Sequence, residues 1–318
     1  MYVTKSITAA GSYSISRKNV AAKRVEMSLW TRGHGLFRTI AGLVIAGACL
    51  GAEPSTSIGR TPSREVLAPP KTARRLTSDA GIAQLRANIA RFPAAKKLAD
   101  EIIKEADYWL AWSDEDLERL ITSADVPRAF AVSASGCPIC GAKLKEKGGD
   151  YSWIIDPKIP FKVKCPVDGT IFPTNDYDAY YKSGFKEKIG WDTPYVDDGW
   201  GWTDPKTGEK FWFVAYWNHW VWHGKLAPGV RALGRAYLIT GDKKYAHKAA
   251  VALRKIAQVY PAMDHARQSR YGTMMAARGV DYPGKVVNAI WETALIASLA
   301  EAYDDAWETI DGDQAIDV

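Results

Sequence analysis

Apolar residues recur at three- and four-residue intervals over two long stretches of this chain, with a stretch between them where they do not. In the first, Ile82, Leu85, Ile89 and Phe92 keep the spacing of one helix face, and Leu98, Ile102 and Ile103 carry it on toward Tyr108 and Trp109. Ser113 followed by Asp114, Glu115 and Asp116 offers a capping hydroxyl and first-turn acids, so a further helix is predicted through Leu120. Two or three packed helices are expected over residues 80–130. In the second stretch a helix from Leu226 to Thr240 is closed by Gly241, and Asp242 caps another that runs to Tyr260 and stops at Pro261. A third is predicted from Lys285 to Trp307, with Ile290, Ala294, Leu295, Leu299 and Tyr303 as its apolar stripe. Antiparallel helix hairpins thus form the repeating unit of residues 217–318.

The intervening residues 131–216 have frequent Gly and Pro, short alternating apolar runs and many aromatics. Lys164 to Phe172 reads as a strand, a tight turn and a strand. This predicts a β-rich insertion held by something other than a large core. Residues 53–79, rich in Pro, Ser, Thr and Arg and without sustained period, read as a linker.

Charge changes the picture at the amino terminus. The formal net charge is +6 over 318 residues, and residues 1–52 hold seven Lys or Arg against Glu26 alone, which accounts for all of it. The remainder is balanced, so the folded part has no overall positive field for a nucleic acid, and none is expected as a partner. Arg32 and Arg38 precede an apolar run from Ile40 to Leu50, with small residues at Gly51 and Ala52. That is the order of a secretory leader, cleaved near Ala52 to give a secreted or periplasmic product. The alternative is a buried core helix. The apolar run is shorter than the ~20 residues that span a bilayer, so no stable membrane span is expected after leader removal.

Three cysteines lie beyond the leader, in Cys137-Pro138-Ile139-Cys140-Gly141 and Cys165-Pro166-Val167-Asp168-Gly169. Paired knuckles of this form are the sequence signature of a zinc ribbon, in which two tight turns each present two ligands to one tetrahedral ion. Asp168 stands where a fourth cysteine would, and a carboxylate is a competent ligand. A structural zinc held by Cys137, Cys140, Cys165 and Asp168 is expected. The competing readings are a relic without metal and a disulfide from Cys165 to one of the first pair, which an oxidising compartment would favour. Catalytic zinc would need a water position and a nearby general base that the knuckles do not suggest.

Seven of the 13 tryptophans fall between Trp191 and Trp222. Flat rings stacking on sugar faces use such a density, with Asn and His to bond hydroxyls; rings filling the seam between the insertion and the first long helix use it equally well. The run from Tyr216 to His223 interleaves polar groups with rings, which makes Trp217, Asn218, His219, Trp220 and His223 the candidate substrate contacts. His247 and His265 carry no comparable signal.

With these residues in view, the chain resembles the heparinase II/III-like polysaccharide lyases. The resemblance lies in the order of parts: Leu85-Arg86-Ala87-Asn88 and Trp109, then Trp217-Asn218-His219-Trp220, then the hairpin from Ala236 to Ala246, then Tyr260-Pro261, and Asn288-Ala289-Ile290-Trp291-Glu292. It covers roughly residues 80–310. It implies a mainly α fold, an incomplete (α/α) toroid of helix hairpins, here with a small β-rich, zinc-ribbon-like insertion. It implies cleavage of an acidic, uronate-containing polysaccharide by β-elimination, in which a neutral polar or cationic group offsets the carboxylate, a Tyr or His takes the C5 proton and an acid protonates the leaving oxygen. It adds Asn288, and less directly Lys285, to the groove candidates. Only about 100 residues follow Trp217 and no sandwich region follows them, so no catalytic residue is carried over, and a downstream chain completing the fold is an expected partner. The alternative function is a non-catalytic carbohydrate-binding or interaction module.

Overall fold

The computed structural model describes residues 71–265, 285–287 and 289–310, all within the unit that begins at Pro70. The leader, the linker up to residue 70 and the candidate Asn288 lie outside the described residues. Helices dominate what is described, and the fold is mainly α. No described helix is long and apolar enough to cross a membrane.

Three helices open the fold: α1 (Asp79–Arg91), α2 (Pro93–Leu110) and α3 (Asp114–Leu120). The continuous period from Ile82 to Trp109 is split at Pro93, which cannot donate a helix hydrogen bond and starts α2 as its first residue. Only Ile82 is buried on α1, while Leu85, Phe92 and Leu98 remain exposed. Ser113 caps α3 as predicted, its Oγ accepting from the Asp116 amide at 3.0 Å. Residues 71–78, read from sequence as linker, are held against the last helix. The Asp304 carboxylate pairs with Lys71 and accepts from the amides of Arg75 and Leu76 at 2.8 and 2.7 Å.

The insertion contains less strand than its alternation suggests. Its five strands are two residues each: β1 (Ile154–Ile155), β2 (Val163–Lys164) and β3 (Ile171–Phe172) form one antiparallel sheet, and β4 (Trp202–Thr203) pairs with β5 (Lys210–Phe211). The predicted strand-turn-strand is present, with Val163 opposite Phe172 and Lys164 opposite Ile171. A short helix α4 (Tyr177–Lys182) interrupts it, capped by Asp176. Strands this short do not hold themselves together. Buried Trp153, Phe161, Phe172, Phe211 and Phe213 tie the insertion into the common core, with Phe172 and Phe213 stacked at 4.7 Å.

Helix α5 (Phe213–Val221) begins four residues before the predicted boundary and is almost entirely buried. A π-helical turn, Trp222–Leu226, joins it to α6 (Ala227–Thr240), and the Ala227 amide donates to the Trp222 carbonyl. Pro228 explains the widening: in an α-helix its ring would meet the carbonyl of Gly224 and leave it without a donor. Gly241 closes α6 at φ +76°, and Asp242 caps α7 (Lys243–Val259) by accepting from the Lys244 amide at 3.1 Å. The last helix, α8 (Ala289–Ile310), turns Leu295, Leu299, Ala302 and Ala306 inward, whereas Ala294 and Tyr303 of the predicted stripe face outward.

Helix α6 is central and packs on α2, α7 and α8. Two glycines permit the close approaches. A Cβ at Gly229 would lie 2.2 Å from Nε1 of Trp109, and one at Gly234 would lie 3.0 Å from Cα of Ala302. Polar ties fix α7 to the opening helices: Tyr245 donates to Asp107 at 2.7 Å, Lys248 pairs with Asp114, and Arg254 with Glu118 at 2.6 Å.

Candidate functional site

Cys137 and Cys165 each open a turn that closes on glycine. The Gly141 amide donates to the Cys137 carbonyl at 2.8 Å, and the Gly169 amide to the Cys165 carbonyl at 3.0 Å. Gly141 and Gly169 adopt φ of +60° and +76°, which costs a residue with a Cβ and not a glycine. The two turns face each other. Cys140 Sγ lies 3.6 Å from Cys165 Sγ, Cys137 Sγ lies 3.7 Å from Asp168 Oδ2, and the four donor atoms all fall within 4.8 Å of one another.

A tetrahedral ion with bonds of about 2.3 Å to sulfur and about 2.0–2.2 Å to oxygen sets sulfur–sulfur edges of about 3.8 Å and sulfur–oxygen edges of about 3.5 Å. The spacing matches, so these four residues could bind a metal ion. All three thiols are free, at separations well beyond the ~2.05 Å of a disulfide. Burial pushes the Cys137 thiol up to about 12 and raises that of Cys140. Burial acts the same way on Asp168, but hydrogen bonds outweigh it, led by the Thr170 amide donating at 2.9 Å, and hold its carboxyl below the usual range. The carboxylate is thus ready as a ligand, while a cation would have to displace the protons that Cys137 and Cys140 hold more tightly than usual.

The second constellation grows from α5. Its four candidates divide by direction. Trp217 is fully buried against Phe161, 4.7 Å between centroids, and its indole donates to the Asp156 carbonyl at 3.3 Å. Asn218 is also fully buried; its amide donates to the carbonyls of Val126 and Pro127, both at 3.1 Å, and accepts from Thr122 at 2.7 Å. Asn218 is thus spent on fastening α5 to the segment after α3, and Trp217 on fastening it to the loop between β1 and β2. Trp220, half-buried, donates to the Phe130 carbonyl at 3.1 Å and leaves its ring face for neighbours.

His219 differs from all of these. It is fully buried, and neither ring nitrogen has a hydrogen-bond partner among the described residues. Aromatic rings surround it: Trp220 and Trp291 at 5.3 Å, Phe130 at 6.5 Å and His223 at 6.3 Å between centroids. Burial, then the nearby His265, His223 and Arg128, hold its pKa well below the ordinary value, so it is neutral. His223, carried on the π turn, stacks on Trp291 at 5.7 Å and 24°. Its Nδ1 is likewise buried without a partner, and burial lowers its pKa. A buried polar atom without a partner costs roughly 1–3 kcal/mol, so three such nitrogens in one aromatic cluster call for an explanation.

Among the neighbours of this cluster, Phe130 and Tyr151 carry no sequence signal, and Trp291 lies in the stretch that carries the resemblance but is not among the groove candidates. Phe130 and Tyr151 come from loops with no period; Trp291 arrives from α8, about 70 residues beyond Trp220. Behind His219 a buried charged group closes the site. Arg128 Nε donates to the Val286 carbonyl at 2.6 Å, and burial pulls its pKa down to about 10 against Glu292 and Asp264. Glu292 accepts from the amides of Val286 and Val287 at 3.1 and 2.8 Å and from the Tyr260 hydroxyl. His265 is drawn in here, its pKa pushed down to about 4 by burial and Arg128, while His247 pairs with Asp114 on the far side of α7. Lys285, the weaker candidate, is half-buried beside Val286.

No model of a known protein family, no curated protein and no solved structure matches this chain.

Proposed function

We propose that this chain is the amino-terminal part of a secreted lyase that opens uronate-containing polysaccharide by β-elimination, with the cluster of His219, Trp220, His223 and Trp291 lining the sugar groove. The observation that carries the reading is His219: a neutral, fully buried imidazole inside a ring of aromatics, its two nitrogens without a hydrogen-bond partner among the described residues. Neutral imidazoles give and accept hydrogen bonds without the cost of burying a charge, which suits sugar hydroxyls and a carboxylate alike. The order of parts from Leu85 to Glu292 and the mainly α fold support the lyase class and the toroid of hairpins. On this reading α6, α7 and α8 are toroid helices, and further hairpins on a following segment or partner chain complete the fold and supply the proton-transfer groups.

The metal in the paired knuckles is zinc in a structural role. Three thiolates and one carboxylate favour that ion, and four protein ligands leave no open position for chemistry. Purified protein should carry about one zinc per chain, and Asp168→Ala should lower that occupancy.

The function is tested with alginate and heparan sulfate. Ultraviolet absorbance of unsaturated uronate, appearing when the helical continuation is present, supports the lyase. Binding without that absorbance identifies a carbohydrate-binding module instead, and absence of both binding and absorbance refutes the uronate reading.

A further inference from the structure

The metal knuckles and the aromatic cluster are joined through one residue, Tyr151. It lies eleven residues after Cys140 and three before β1, whose partner β2 runs directly into Cys165. The segment that presents it is therefore bracketed by the two halves of the metal site. Tyr151 is 50% exposed, yet its ring meets Trp220 at 5.5 Å, Trp291 at 6.2 Å and Phe130 at 6.4 Å. Together with His223 these rings form a continuous aromatic surface with one edge open to solvent.

Among the described residues, the segment's other ties are Leu144 in the common core and a bond from Lys145 to the Ala134 carbonyl. From Ala142 to Tyr151 it consists of two short 3-10 turns, and only Leu144 is buried. Ser152 donates to the carbonyls of Gly149 and Leu144 at 2.8 and 3.4 Å, which closes the turn on itself and not on the helices. Downstream of it, Trp153, Phe161 and Phe172 are rooted in the main core. Loss of a cross-link between the knuckles would free Cys137 to Tyr151 and leave the sheet in place.

We propose that a metal ion in the Cys137, Cys140, Cys165 and Asp168 site pre-organises Tyr151 as a stacking wall of an acidic-sugar subsite, so that the ion controls glycan affinity without taking part in chemistry. The sugar assignment rests on the uronate reading given above. Flat rings suit the apolar face of a pyranose, the unpartnered Nδ1 of His223 offers a bond to a hydroxyl, and exposed Lys143 and Lys147 on the presenting turn complement a carboxylate polymer.

The test uses the full chain with zinc and after chelation, alongside Asp168→Ala and Tyr151→Ala. Hydrogen exchange should quicken on zinc removal in residues 137–151 and at Trp220 to His223, with α6 and α7 unchanged. Unchanged exchange in 137–151, exchange quickened throughout the helices, or a purified chain that takes up no zinc, each overturns the coupling. Calorimetry with alginate and heparan sulfate oligosaccharides should show about tenfold weaker binding for Tyr151→Ala, for Asp168→Ala and for the chelated protein. If the zinc-loaded chain binds and these three bind equally well, this inference fails and the uronate reading survives. If the zinc-loaded chain binds neither glycan, the uronate reading fails and takes the sugar subsite with it, while exchange still decides whether the ion orders Tyr151.

Discussion

Asp305 gives the sharpest prediction for the helical body. It lies on α8 at the seam with α6, its Cβ 3.2 Å from where a Cβ on Gly234 would be, and is 5% exposed. Burial pushes its carboxyl up to about 7; Asp304 and Glu301 on the same helix add to the rise, and Arg235 of α6 and Arg74 of the amino-terminal segment oppose it. Between about pH 4 and about pH 7 the folded chain keeps this proton while the unfolded chain gives it up, so stability falls as pH rises through that window. Roughly three pKa units at about 1.4 kcal/mol each set a ceiling of about 4 kcal/mol, and about 2–4 kcal/mol is the expected range. Asp305→Asn removes the titration and little else. Thermal unfolding should show near-equal midpoints at about pH 3 and a variant more stable by roughly 4–16 °C at about pH 8, using about 2–4 °C per kcal/mol for this size. Neighbouring Asp304 works in the opposite sense. Lys71 and the amides of Arg75 and Leu76 overcome its burial and lower its pKa, so its contribution is lost only as pH falls below the ordinary carboxylate range. A variant destabilised equally at both pH values would rule out a buried, protonated Asp305.

Gly229→Ala drives a methyl into the buried Trp109 ring, which already donates to Glu105 at 3.0 Å. Overpacking of about 1–3 kcal/mol should exceed the ~1 kcal/mol gained in helix propensity, lowering the urea midpoint; a raised midpoint contradicts the packing. Ser113→Ala leaves the Asp116 amide without its cap and should cost about 1 kcal/mol by the same assay, with an unchanged midpoint counting against it. Chelation of the knuckle metal should leave the far-UV helical signal intact, because none of α2, α6, α7 and α8 supplies a ligand; collapse of that signal contradicts a local role.

What could be read from the chain follows its physics. Ser113, Gly241 and Asp242 act through backbone neighbours one to four residues away, so capping residues located helix ends well. The knuckles were legible for the same reason, since a tight turn brings Cys137 and Cys140 to one ion whatever the rest of the fold does. Trp217 and Asn218 show the limit. A ring or amide that contacts substrate and one that fastens a helix to a loop look alike in sequence, and only the partners of Asn218 at Val126 and Pro127 reveal its use. Tyr151, Phe130 and Trp291 meet across three separate segments, and no local period encodes that meeting. Alternation in the insertion suggests more strand than forms there, because it serves burial of single rings such as Phe172 and Phe211.

The sugar groove stands or falls with His219. His219→Phe keeps a flat ring in the cluster and removes both unpartnered nitrogens, so relief of about 1–3 kcal/mol should hold or raise the thermal midpoint. Calorimetric titration with alginate and heparan sulfate oligosaccharides measures the other half. The unaltered chain should bind, and the variant, equally or more stable, should lose at least about tenfold in affinity. A variant that binds as tightly as the unaltered chain, or that unfolds because the imidazole was holding the core together, would contradict a groove built on His219.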